Sequence, residues 1–129
     1  MDRPVREEEG TPVRVSAGPV TVEGNLALPA AARGIVLFAH GSGSSRFSPR
    51  NRYVARMLQE GGLGTLLIDL LTEEEERVDM RTREVRFDIP LLAERLVGAI
   101  DWLQEYEATR ALRIGLFGSS TGAAAALMA

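Results

Sequence analysis

The order of segments predicts an α/β fold, a mostly parallel sheet with helices on both faces. Two observations carry this. Three short runs, Gly34-Ile35-Val36-Leu37-Phe38-Ala39, Thr65-Leu66-Leu67-Ile68 and Leu112-Arg113-Ile114-Gly115-Leu116-Phe117, are almost continuously apolar. Such runs suit strands buried on both faces, and they alternate here with amphipathic helical stretches, as a parallel sheet requires. In addition, the first and last of these runs each end in a loop of glycine and serine.

The elements follow in order. Residues 1–12 are polar and read as a flexible N-terminal segment; residues 13–129 read as one partial domain. Val13, Val15, Val20, Val22 and Leu26, punctuated by Gly18-Pro19 and Gly24-Asn25, predict two antiparallel strands joined by a turn. After the first apolar run, Ser48-Pro49 supplies an N-cap and a first-turn proline. The helix they open places Tyr53, Val54, Met57 and Leu58 on one face and stops at Gly61-Gly62. Thr72 and Glu75 have the spacing of a capping box, and Glu73 to Glu76 read as a solvated first turn. Asp88 and Pro90 open a long helix whose core stripe is Leu92, Leu96, Ile100 and Leu103. A short alanine-rich helix follows the last strand.

Composition excludes several chemistries. The chain has 129 residues, with no cysteine, one histidine (His40) and a net charge of −3. Disulfides, thiolate metal sites and cysteine nucleophiles are therefore absent. All 15 basic residues are arginine, which removes a Schiff-base lysine and the lysine of a Walker loop. The acidic balance argues against nucleic acid as a partner. No apolar run approaches the length of a membrane span, and no targeting signal is visible, so the expected compartment is the cytoplasm. The residues imply no metal or organic cofactor.

The chemistry concentrates in the two glycine–serine loops. Gly118-x-Ser120-x-Gly122 lies between a buried strand and a helix start. A serine raised to the top of a sheet needs an abrupt reversal of the chain, which leaves no room for side chains two positions either side. Glycines answer that demand. The same turn exposes the Ser120 hydroxyl and aims the first helix amides, Thr121 foremost, at a developing oxyanion. A second donor is expected from His40-Gly41-Ser42-Gly43, with the Ser42 amide in that role. His40 reads as a brace for its loop rather than a general base. Arg46 offers a charge partner if the loop instead cradles a phosphate. Asp69 reads as a structural carboxylate at a strand end. The arginines Arg77, Arg81, Arg83 and Arg86 read as solvated surface.

These segments, together with Leu67-Ile68-Asp69-Leu70-Leu71 and Phe87-Asp88-Ile89-Pro90, resemble the α/β-hydrolase fold, and most closely its dienelactone hydrolase-like branch. The resemblance implies a serine hydrolase acting on an ester, lactone or related small acyl compound. Ser120 would be the nucleophile, with Ser42 and Thr121 as backbone donors of the oxyanion hole. In that fold the triad acid and histidine follow the nucleophile. Here seven residues follow Gly122, and none is acidic or histidine. The resemblance is thus to the N-terminal half of such a domain, C-terminally incomplete. A C-terminal half, a second chain or self-association is expected to cover the edge of the last strand. Two other readings stay open: a non-catalytic interaction module that keeps the fold, and an anion-binding domain built on the two loops.

Overall fold

A computed structural model describes residues 10–39, 47–82, 85, 88–118 and 127. Strands β1 (Thr11–Ala17) and β2 (Val20–Ala27) form an antiparallel hairpin. β3 (Gly34–Ala39), α1 (Pro49–Glu60), β4 (Gly64–Ile68), α2 (Glu73–Thr82), α3 (Ile89–Glu105) and β5 (Arg113–Gly118) follow. The strands make one sheet in the order β1-β2-β4-β3-β5. It is a mixed sheet, parallel across β4, β3 and β5 and antiparallel across the hairpin and its junction with β4.

The hairpin closes at Gly18-Pro19, where Gly18 has φ 70° and the proline ring fixes the next residue. The expected punctuation at Gly24-Asn25 is overturned, because β2 runs straight through it. Gly24 lies opposite Ile68 of β4. A Cβ there would come within 3.0 Å of the Ile68 side chain and 3.2 Å of the Leu67 carbonyl. This glycine makes room for a neighbouring strand instead of a turn. Thr11 and Pro12, expected in the N-terminal segment, instead belong to β1 and pair with Leu26 and Asn25.

Alternation along β3 and β4 divides the core between two faces. Ile35, Leu37, Ala39, Leu66 and Ile68 join Val15, Val22 and Leu26 against Leu92, Leu96, Ala99 and Leu103 of α3. Phe38 and Leu67 point the other way, packing with Ala55, Val54 and Leu58 of α1 and with Phe117. The α3 stripe therefore matches its helical spacing. It sits close to the sheet because residue 98 is glycine: a Cβ there would lie 2.6 Å from the Ala17 Cα.

The predicted face of α1 is corrected. Its inner stripe is Asn51, Val54, Ala55 and Leu58, while Tyr53 and Met57 are more than half exposed. The spacing i, i+3, i+4, i+7 is helical, but small and polar residues, not the largest apolar ones, take the sheet side. Ser48 occupies the N-cap position without a side-chain capping bond. The helix stops as expected, with the Leu63 amide donating to the Leu58 carbonyl and the Gly62 amide to that of Gln59. Arg33 fastens this end by donating from its guanidinium to the Gly61 carbonyl at 2.9 Å.

Candidate active site

In a parallel sheet, ligands gather at the carboxyl ends of the strands. Here register aligns those ends. Ala39 of β3 lies opposite Ile68 of β4 on one side and Gly118 of β5 on the other. The chain thus leaves three adjacent strands at one level: into the His40 loop from β3, to Asp69 from β4, and into the Ser120 segment from β5. Gly118, the first glycine of the elbow pattern, is the last residue of β5 and partner to the residue before His40. The predicted site residues Ser120, Thr121 and Ser42, with His40 and Arg46, lie outside the described residues. What the structure places is the strand ends from which their segments depart.

Beside these ends, an open groove of about 1050 Å³ is lined by Glu23 from β2, Phe47 before α1, and Asp69, Leu71 and Thr72 after β4, with the first turn of α2. Carboxylates dominate its wall, since Glu23, Asp69 and Glu73 to Glu76 face only Arg14 and Arg77 among the lining residues. Arg14 and Glu23 approach to 3.8 Å, both at least half exposed, a pair that contributes little. The Asp69 amide donates to the Glu23 carbonyl at 3.0 Å and so prolongs the β2–β4 pairing into this wall. A smaller hollow of about 350 Å³ lies between the hairpin turn and α3.

The corner after β4 is the most strongly tied part of the wall. Thr72 and Glu75 form the predicted capping box: the Thr72 amide donates to Glu75 Oε1 at 2.9 Å, and the Glu75 amide to the Thr72 hydroxyl at 3.2 Å. Sequence reasoning missed the second duty of Glu75. Both its oxygens accept from Arg95 of α3, each at 2.6 Å, in a two-pronged pair. Arg95 also donates to the Leu70 carbonyl at 3.1 Å. Its side chain is 5% exposed and that of Glu75 is 25% exposed. The acidic turn is therefore not solvated throughout. Hydrogen bonding to Arg95 holds the Glu75 carboxyl below its ordinary range, against an opposing push from burial and with help from Thr72. The available signal was the position of Arg95, within the apolar stripe of α3.

The sheet order, its parallel half and the helices on both faces define an α/β-hydrolase fold. Comparison with known proteins narrows this. A dienelactone hydrolase from Anabaena variabilis superposes with TM-score 0.89 and 65% identity, over 91% of this chain and 54% of that one. An esterase of Pyrococcus furiosus shares the fold at TM-score 0.70 and 22% identity, over 92% of this chain and 44% of its own. Its structural neighbours are thus a dienelactone hydrolase and esterases of the α/β-hydrolase fold, and the chain spans about half the length of the dienelactone hydrolase it matches. Two curated Mycobacterium tuberculosis proteins, provisionally named phosphoribosyl transferases, are 56% identical over 128 residues. That match is 99% of this chain, which spans about a quarter of their length, 27%. No protein-family model matches the chain. Among the described residues, no helix is long and apolar enough to cross a membrane, and no cluster of potential metal ligands occurs.

Proposed function

We propose that this chain supplies the nucleophile half of a serine hydrolase that cleaves an ester, lactone or related acyl bond in a small molecule, with the cytoplasm as its compartment. The observation that carries the reading is the register of Ala39 with Gly118, which starts the two glycine–serine segments side by side at the carboxyl edge. In this mechanism the Ser120 hydroxyl attacks the acyl carbon, and the amides of Ser42 and Thr121 stabilise the oxyanion of the tetrahedral intermediate. The leaving alcohol departs to give an acyl-serine, which water then hydrolyses. The base that takes the serine proton and the carboxylate that orients it come from outside these 129 residues, on a segment or second chain that covers β5. Among the described residues, β5 pairs only with β3, and Leu116 at its centre is 39% exposed. Without those groups, only a residual acceleration of about 10³–10⁴ over water is expected. The test is ester hydrolysis by the protein as its cells make it. Ser120→Ala should remove that activity while leaving melting unchanged, and retained activity would refute the assignment.

A further inference from the structure

We infer that Arg95 and Glu75 are positioning residues that fix the wall of the groove beside the strand ends, that this groove receives the substrate, and that the role of the pair is separable from stability. The inference rests on the hydrolase reading for what the groove binds, but its structural part stands alone. The corner from Asp69 to Thr72 joins the end of β4 to α2 and lines the groove. The Asp69 amide donates to the Glu23 carbonyl, and Leu70 is buried in the core with Leu71 packed against it. The guanidinium of Arg95 holds both sides of this corner at once, the Leu70 carbonyl before it and the Glu75 carboxylate after it. Glu75 in turn closes the capping box onto Thr72. One cation from the buried stripe of α3 therefore ties the first turn of α2 to a corner that Leu70 anchors in the core.

A pair this buried is a poor source of net stability, because desolvation offsets its attraction; replacing both partners by neutral groups is often harmless. Position is the property such a pair controls. It also lies on the β4 side of β3, whereas the Ser120 segment leaves from β5 on the other side. Loosening the corner should weaken substrate binding and spare the serine.

The deciding variant is the double substitution Glu75→Gln with Arg95→Met. Glutamine keeps the capping acceptor, and methionine fills the stem of the arginine without stranding a charge. In the protein as its cells make it, the double variant should melt close to the parent. Amides of residues 70–78 should exchange about tenfold faster, and KM for a neutral aryl ester should rise about tenfold with kcat within about twofold. A small fluorophosphonate should modify Ser120 at an unchanged rate. Arg95→Lys, which keeps the charge but loses the fork, should show the same changes in smaller degree and serves if the double variant does not fold. Unchanged exchange at 70–78 would overturn the positioning role, as would a loss shared equally by KM, kcat and labelling. A parent protein whose Ser120 is not modified would count against the hydrolase reading instead, while the exchange result still decides the role of the pair.

Discussion

β3 and β5 are neighbours, parallel and in register, and their sequences are alike: GIVLFA beside RIGLFG. Their surroundings are not. Leu37 of β3 is 0% exposed and its direct partner, Leu116 of β5, is 39% exposed. β3 has a strand on each side and a helix-lined core on each face, whereas β5 has a strand on one side only among the described residues. Burial is thus a property of position in the sheet, and the apolar composition of β5 suits a place with more cover than it has here. An apolar strand with a free edge is a template for pairing. That contrast underlies the proposal that the catalytic base and acid arrive on whatever covers β5.

The contrast can be broken most severely from the β3 side. Phe38 is fully buried and meets Phe117 with ring centroids 5.0 Å apart. Phe38→Ala should cost about 3–5 kcal/mol, read as a lower denaturant midpoint. Phe117→Ala removes the other half of the same ring pair from a partly buried site, and should cost clearly less. Equal losses would mean that β5 is as enclosed as β3.

Gly98→Ala tests the sealed face by a different route. The added methyl would meet backbone of β1, so a net loss of about 1–3 kcal/mol is expected despite the better helix propensity of alanine. A gain in melting temperature would show that α3 can move away from the hairpin without penalty.

Acid titration sharpens the picture at the corner after β4. The folded-state pKa of Glu75 lies below its usual 4.5. Its stabilising contribution is therefore fully present above about pH 4.5 and is lost as pH falls through the lower folded value. Stability of the parent should fall over that acid range. Glu75→Gln should flatten this part of the curve, and an unchanged acid limb would remove Glu75 as its source. A modest effect on stability belongs to Leu116→Asp, about 1 kcal/mol in the chain alone, because the side chain is already 39% exposed. The same change should abolish association at the β5 edge, which light scattering would show as loss of any dimer or captured segment.

Legibility followed the range of the interactions. The apolar runs of β3, β4 and β5, the Thr72–Glu75 box and the α3 stripe are local patterns, and each formed as its residues dictate. Gly24 misled because its reason is the approach of β4, a strand some forty residues further along the chain. The inner face of α1 was read by size of side chain, yet closeness to Phe38 and Leu67 favours Ala55 there, with Asn51 also buried. Arg95 escaped notice because a charged side chain in an apolar stripe has meaning only once its partner, twenty residues earlier, is folded beside it. For the site, motif and loop composition pointed to Ser120, Thr121 and Ser42. The structure supplies the common edge from which their segments leave.

The most direct measurement is intact mass spectrometry of the protein, as its cells make it, before and after a fluorophosphonate, followed by peptide mapping. The account predicts one adduct, on Ser120, and none in Ser120→Ala. No adduct in a protein that carries its acid and base, or an adduct on any other serine, would contradict it.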